Sequence, residues 1–225
     1  MNEKLFKAAL AELLGTFTLV FVGGMVVTTA SADNGGVVAP ALGHGLILIA
    51  LAFAYGSISG GHFNPAVTAG LLVGGKHSLL QSVVYWIMQF LGAIIAAVVI
   101  QAVVPAGTNL GQTTGSLTFD AAGAPTVTAA IIEFILAFLL VTTIYQTAVH
   151  GRTGNLAPIA IGLTLAGCIF AAGVYTGASV NPARTFGPAL IAGDLSYVPL
   201  YFIGLFSGGI VAGLLNAYVL TPDKD

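Results

Sequence analysis

Six long apolar stretches account for most of the chain, and the segments between them are short and polar. An α-helix rises about 1.5 Å per residue, so about 20 apolar residues cross a hydrocarbon core of about 30 Å. Strands of a membrane barrel need only about 10 residues of alternating polarity, which the runs do not show. The pattern predicts six transmembrane helices, over residues 8–29, 37–55, 79–104, 127–149, 156–174 and 195–220.

Two polar interruptions resemble each other. The stretch SGGHFNPAVTAG at 59–70 recurs as TGASVNPARTFG at 176–187, and six of the twelve positions are identical. Each stretch follows the second span of a three-span half, and Glu12 of the first half corresponds to Glu133 of the second. Three is an odd number, so the second half must enter the membrane from the opposite side. We expect one domain over 1–225, with inverted repeats at about 5–105 and about 125–222.

The Asn-Pro-Ala boxes predict helix starts inside the membrane. Proline suits the first helical position, and asparagine before it accepts a hydrogen bond from the first turn. About ten apolar residues follow each box, to Gly74 and Ile191, enough for half a span. The sequence therefore predicts an all-α membrane protein with six transmembrane helices and two re-entrant half-helices that meet at the midplane. The box residues are Asn64, Pro65, Ala66, Asn181, Pro182 and Ala183.

Two asparagine amides at the tips of two half-helices predict a site for a neutral oxygen. The amide groups donate, and each helix start carries about half a positive charge, so the site binds water and repels cations. A water held by both amides also interrupts a proton wire. Glycines beside the boxes let the backbone approach a permeant molecule. We expect pore-lining carbonyl groups from Gly60, Gly61, His62, Phe63, Gly177, Ser179 and Val180.

The intramembrane carboxylates Glu12 and Glu133 are expensive to bury, and their symmetry predicts that each binds the N–H groups of a re-entrant loop. A proton relay is the alternative interpretation. Non-helical backbone at membrane depth must be buried or line a cavity, because each orphan polar group costs several kcal/mol in lipid.

Composition and charge agree with a membrane protein. Hydrophobic residues make up 57%, charged residues 6%, and the mean hydropathy is +0.99, which excludes a soluble protein. The net charge of -2 gives no reason to expect nucleic acid as a partner.

Basic residues collect in the connections on one side, which predicts cytoplasmic termini, and Arg184 alone breaks this pattern. The basic residues on that side are Lys4, Lys7, Lys76, Arg152 and Lys224, and the acidic residues opposite are Asp33, Asp120 and Asp194.

Candidate chemistry is sparse. The single Cys168 cannot form an intramolecular disulfide, and four scattered histidines build neither a metal motif nor an enzyme site. We expect no cofactor, no metal and no enzymatic activity. His77 and His150 are predicted to be plain surface, Tyr85 and Trp86 to be membrane-interface anchors, and Cys168 to be a packing residue.

The paired boxes, the second of them NPAR, with six spans and AELLGTF near the start, resemble the aquaporins of the major intrinsic protein family. The resemblance covers essentially the whole chain. It implies an hourglass pore in each subunit of a homotetramer, with water and small neutral solutes as the permeant partners. It also implies a constriction on the outer side, formed by His44, Ile169, Ala178 and Arg184.

The constriction departs from a strict water filter, in which the second-span position is usually Phe and the fifth-span position His. His44 and Ile169 instead resemble vacuolar-type plant or archaeal-type members, some of which pass ammonia or urea. Glycerol facilitators typically have Asp after NPAR, where this chain has Thr185, so at most slow glycerol passage is expected. His44 is either a neutral hydrogen-bonding wall or a titrating gate, and His62 is either a vestibule residue or a pH gate.

A secondary transporter and a non-conducting junction protein are the rival functions. A transporter normally needs ion or charged-substrate sites at the midplane, and no cluster of acids is visible. The short connections favour the cell membrane, plasma or inner, and a prokaryotic source.

Overall fold

The computed structural model describes residues 3–30 and 35–222, so Asp33 and Lys224 lie outside the described residues. Within them the chain forms eight α-helices and no named strand. Their bounds are α1 Glu3–Thr29, α2 Val38–Ser59, α3 Pro65–Val73, α4 Leu79–Val103, α5 Val127–Ile144, α6 Ala157–Thr176, α7 Pro182–Ala192 and α8 Val198–Tyr218.

Six of these helices are long and apolar enough to span a membrane, which confirms the predicted fold class. The helix α1 begins at Glu3, five residues before the apolar run, because polar residues extend a helix into the headgroup region without cost. The fourth span consists of α5 and a π-helical turn that continues it at Tyr145–Val149. A short 3₁₀ turn at Gly154–Leu156 then leads into α6.

The two short helices α3 and α7 are the predicted half-helices, with 9 and 11 residues. Each starts with proline at its first position and is capped by the preceding asparagine, whose side-chain oxygen accepts the N–H of Ala66 or Ala183 at 2.9 Å. The spans before them end at Gly60 and Gly177, which adopt left-handed φ values of 88° and 75°. Glycine allows this sharp helix stop, after which the chain turns back.

Helix packing follows the two related halves. α1 packs on α2 and α4, and α5 packs on α6 and α8, while α2 contacts α6 between the halves. The half-helix α3 lies against α8, and α7 lies against α4. Close approach depends on small residues: a Cβ at Gly213 would lie 2.2 Å from the carbonyl oxygen of Gly70. The helices therefore hold both half-helices inside the bundle.

Three predictions about surface residues are wrong, those for Tyr85, His77 and His150. Tyr85 is 3% exposed, and its hydroxyl donates to the carbonyl of Ser59, so it holds the first re-entrant loop and is no interface anchor. Trp86 donates from its indole N–H to the carbonyl of Pro65 at 3.0 Å and is partly exposed. Its role as a membrane-interface anchor stays a prediction.

His77 is half-buried against Tyr85 and His62, with ring centroids 4.6 and 4.9 Å away, and burial lowers the pKa of its imidazole. His150 is likewise only partly exposed, and its Nε2 contacts the carbonyl oxygen of Asn216 at 3.1 Å. Neither histidine is a plain surface residue, because each packs where a loop meets a helix end.

Candidate pore

The two re-entrant loops have the same backbone shape just before each asparagine. Phe63 and Val180 adopt φ values of 47° and 58°, in the left-handed region that residues with a side chain rarely occupy. A β-branched valine in this region is strained, and such strain persists only where surrounding contacts fix the backbone. The left-handed turn allows the N–H and C=O groups of each residue to bind two different partners.

The N–H groups of both loops bind the buried carboxylates. One oxygen of Glu12 accepts the N–H of His62 at 3.0 Å, and the other accepts the N–H of Phe63 at 2.7 Å. In the second half, the two oxygens of Glu133 accept the N–H groups of Ser179 and Val180, each at 2.9 Å.

Hydroxyl groups complete both carboxylate sites. Ser59 and Thr176 occupy equivalent positions, and each donates to a glutamate oxygen at 2.7 Å. Both glutamates have no exposed surface. All their observed partners are donors that hold the loops, so the contacts match the loop-supporting interpretation and include no neighbouring titratable group of a proton relay.

The carbonyl groups of the loops cross-link the two halves. The side-chain amide of Asn64 donates to the carbonyl of Val180, and that of Asn181 donates to the carbonyl of Phe63, both at 2.8 Å. The sequence reasoning left each NH₂ group entirely free for the permeant molecule. In the structure one hydrogen of each group binds the opposite loop, and the second hydrogen remains available.

Arg184 lies at the start of α7, buried, with a fixed side chain. Its Nε–H donates to Nε2 of His44 at 3.1 Å, and Nη1 donates to the carbonyl of Gly111 at 2.6 Å. The only ion pair in the described part of the chain joins Lys7 and Glu3, so Arg184 has no salt bridge to Asp194. The remaining guanidinium N–H groups have no protein acceptor and can donate to a passing oxygen.

The hydrogen bonds of His44 define its protonation. Its Nδ1 lies 2.8 Å from the carbonyl oxygen of Pro40, which can only accept, so Nδ1 carries a hydrogen. Its Nε2 accepts from Arg184 and must be unprotonated. The imidazole is therefore neutral, and both of its nitrogens are in use.

Glycines of α1 make room for this arrangement. A Cβ at Gly23 would lie 2.1 Å from Nε2 of His44. Gly111 has a left-handed φ of 74°, and its own Cβ would lie 2.6 Å from the Cα of Gly24. Neither Gly23 nor Gly111 can be replaced by a larger residue without moving these neighbours. The space at the two glycines allows His44 and the Gly111 carbonyl to reach Arg184.

Three cavities in succession cross the molecule. The outer cavity, about 460 Å³, is lined by Ile169, Gly177 and Arg184. The inner cavity, about 370 Å³, is lined by Gly60 and His62. Arg184 and His62 also line the central cavity, which therefore shares wall residues with each of the other two.

The central cavity is narrow, and seven of the predicted site residues form part of its wall. Its volume is only about 20 Å³, which is room for one or two water molecules. Its wall is mainly apolar, from residues such as Leu48, Val67 and Leu165. The predicted site residues in the wall are His44, Gly61, His62, Asn64, Ser179, Asn181 and Arg184.

Three of the residues predicted for the filter or for the pore-lining carbonyl groups line none of the three cavities. Ala178 is buried and lines none of the three cavities, although its neighbours Gly177 and Ser179 do. Phe63 and Val180 have no exposed surface, and their carbonyl groups accept the asparagine amides. On each of these two carbonyl oxygens, only the second lone pair is left for a permeant molecule.

Sequence reasoning missed the residues that tie the loops to the last helix of each half. Tyr85 of α4 donates to Ser59, and Tyr201 of α8 donates to the carbonyl of Thr176 at 2.8 Å. Gln89 adds a bond to Glu12 at 2.8 Å. The similar spacing of the tyrosines from the two loops was a usable signal.

Comparisons with known proteins agree with this geometry. Residues 1–216 match the family described as major intrinsic protein. The chain is 40% identical to "Probable aquaporin TIP2-2" of Oryza sativa subsp. japonica, over 95% of this chain and 87% of that protein. It is 41% identical to "Aquaporin TIP2-3" of Arabidopsis thaliana, over 93% and 85%.

Solved structures share the fold at low sequence identity. The aquaglyceroporin from Plasmodium falciparum superimposes with a TM-score of 0.82 at 22% identity, covering 96% of this chain and 97% of that one. An FNT family ion channel superimposes with a TM-score of 0.60 at 15% identity, covering 97% and 90%. At these low sequence identities, both comparisons show only that the fold is shared.

Proposed function

The chain belongs to the major intrinsic protein family, and we propose that it is a proton-excluding water channel that also passes small neutral solutes. Family membership makes it a passive multi-pass membrane channel for water or small solutes and not an enzyme, which confirms the prediction from composition. Its solute range and the roles of single residues are our proposal.

The observation that carries the proposal is the convergence of Asn64, Asn181 and Arg184 on one narrow cavity that shares wall residues with the outer and inner cavities. All three side chains present donors to a molecule in the path. A water oxygen satisfies these donors, whereas a cation meets a guanidinium and two positive helix starts.

Proton exclusion follows from donor-only contacts at the centre. The asparagine oxygens are occupied by their caps, so the amides can only donate to water. A water that accepts from both amides points its own hydrogens outward, and the hydrogen-bonded chain cannot keep one polarity across it. Arg184 offers no acceptor that could carry a proton onward.

The filter proposed from the resemblance consists of His44, Ile169, Ala178 and Arg184. Ile169 gives the outer cavity an apolar wall, and Ala178 is buried and adds no side chain to the wall of the three cavities. We therefore expect ammonia and urea to pass beside water, and glycerol to pass slowly. Because both nitrogens of His44 are bonded, a neutral wall fits its contacts better than a gate or an acceptor of ammonium protons.

Osmotic light scattering from proteoliposomes tests the function, with ammonia, urea and glycerol gradients run in parallel. We expect faster water flux than in empty liposomes, with a low activation energy and no saturation. Ile169→Trp should block the outer cavity and return the flux to the level of empty liposomes. Saturable, ion-coupled flux would instead indicate a transporter.

The double variant His44→Phe with Ile169→His tests the filter assignment. A histidine wall narrows the constriction, so we expect the urea-to-water permeability ratio to fall. An unchanged ratio would contradict the assignment of these two positions.

Location and assembly belong to the same proposal. We propose a homotetramer in the cell membrane, plasma or inner, with cytoplasmic termini. The basic residues Lys4, Lys7, Lys76 and Arg152 lie at the N-terminal ends of the spans or in connections on that face, which supports the orientation. Light scattering of the purified protein measures the subunit number, and cell fractionation with terminal tags locates the membrane and its face.

A further inference from the structure

A groove outside the pore lies on the face where the chain begins. It has a volume of about 530 Å³ between the start of α1, the end of α2 and the start of α4. We call it the lysine groove and define it by Lys4, Leu5, Ile58, Lys76, His77 and Leu80.

The lysine groove is positively charged. Neither Lys4 nor Lys76 forms an ion pair in the described structure, in contrast to Lys7, which pairs with Glu3. Among the residues that the structure describes, no carboxylate lines the groove. Glu12 lies behind Ser59, has no exposed surface and is occupied by loop donors, so it does not neutralise the lysines. The groove therefore favours an anion.

The outer rim of the groove is apolar. Leu80 is 68% exposed and Ile58 is 45% exposed, and both belong to helices that span the membrane. Such side chains face lipid acyl chains. Lys4 lies in the first turn of α1 and Lys76 in the connection before α4, next to the ends of the spans, where headgroups are expected. Cationic and apolar surfaces therefore meet as they do in a phospholipid site.

We propose that the lysine groove binds an anionic glycerophospholipid, with its phosphate between Lys4 and Lys76 and its acyl chains along Ile58 and Leu80. Lys76 also lines the inner cavity, so this site adjoins the proposed permeation path, and it adds a lipid ligand to the protein. Free phosphate shares the headgroup chemistry, but it would leave the apolar rim unused.

Native mass spectrometry of the full-length protein in detergent tests the site. Phosphatidylglycerol is titrated against phosphatidylcholine for the native chain, for Lys4→Gln and Lys76→Gln singly and together, and for Lys7→Gln, which removes the same single charge as each single variant. One lysine near an anionic lipid contributes about a fivefold change in affinity. We expect the phosphatidylglycerol Kd to rise about fivefold for each groove lysine, and to stay unchanged for Lys7→Gln.

Two further measurements separate the lipid from a free anion. Inorganic phosphate and glycerol 3-phosphate should fail to displace the lipid at concentrations where phosphatidylglycerol saturates. Leu80→Asn should weaken lipid binding while both lysines remain. Equal binding of phosphatidylcholine, equal loss in Lys7→Gln, or displacement by glycerol 3-phosphate at the lipid's own concentration would overturn the proposal.

Discussion

The neutral state of His44 depends on one partner in its own helix and on others distant in sequence. Pro40 binds Nδ1, Arg184 binds Nε2, and Gly23 leaves the space in which the ring lies. Protonating Nε2 would break the bond to Arg184 and place two positive groups together. The filter geometry is therefore a property of three contacts around one imidazole.

Gly23→Ala tests this dependence. The new methyl group would lie 2.1 Å from Nε2, so the ring must move and Arg184 loses a partner. We expect water permeability of proteoliposomes to fall severalfold, with an altered urea-to-water ratio. Gly167→Ala is the matched control, because a Cβ there meets nothing within 4 Å. Equal permeability of the two variants would contradict the role of Gly23.

Cys168 and Ile169 are neighbours that face different surroundings. Cys168 is buried in the core with its sulfur 3.9 Å from the carbonyl oxygen of Leu136, whereas Ile169 lines the outer cavity. We expect mercurials to leave water flux of the native protein nearly unchanged and to block Ile169→Cys strongly and reversibly. Strong block of the native protein that is lost in Cys168→Ser would show that the sulfur reaches the pore.

At the scale of the elements, the half-helices depend on their loops. Each loop has strained backbone whose N–H groups bind a buried glutamate, and whose carbonyl group accepts an asparagine of the other loop. The π-helical turn after α5 contributes in the first half, because the Tyr145 hydroxyl donates to the carbonyl of Gly70 at 3.1 Å. Both half-helices are thus held at their tips, and α3 also along its length.

Glu12→Gln and Glu133→Gln test the loop supports. In either variant the new NH₂ group must face a backbone N–H, so one buried donor loses its acceptor, which costs about 1–3 kcal/mol. We expect similar losses of thermal stability in detergent for the two variants, since the two sites are equivalent. A proton relay would predict altered proton flux without this loss. Glu3→Gln, at an exposed pair, is the control.

At the scale of the whole molecule, the two halves place two positive helix starts and one guanidinium around the central cavity. Among the described residues, Arg184 is the only arginine or lysine in the wall of that cavity. Each half contributes one helix start, but the arginine lies on one side only. In the proposed function, the barrier to cations therefore combines a symmetric part at the centre with a local charge towards the outer cavity.

Arg184→Val tests the local part of this barrier. Removing the guanidinium leaves the helix starts in place, so we expect a measurable rise in proton leak while water flux stays of the same order. A pH-sensitive dye inside proteoliposomes measures the leak, and Arg152→Gln, exposed and outside the three cavities, is the control. Proton leak equal to that of the native protein would mean that the half-helices suffice.

Much of the fold follows from local patterns. Six apolar runs of span length, two Asn-Pro helix starts and a pair of matched glutamates predict the bundle, the half-helices and the residues near the loops. These features depend on neighbours in sequence and on the insolubility of apolar surface. Tyr85, His77 and His150 were misread because an aromatic ring near a helix end fits the surface or the membrane interface as well as a buried loop contact.

The sequence by itself determined that this chain crosses a membrane six times and that both boxes cap helices, because these conclusions depend on hydropathy and first-turn geometry. That its halves are inverted is a prediction from the odd number of spans in each half. Only the tertiary structure decided that each asparagine binds the opposite loop, that His44 is neutral beside Arg184, and that Gly111 supplies the second acceptor. These contacts join residues more than 70 positions apart. Their distances depend on how the two halves pack, which no local pattern encodes.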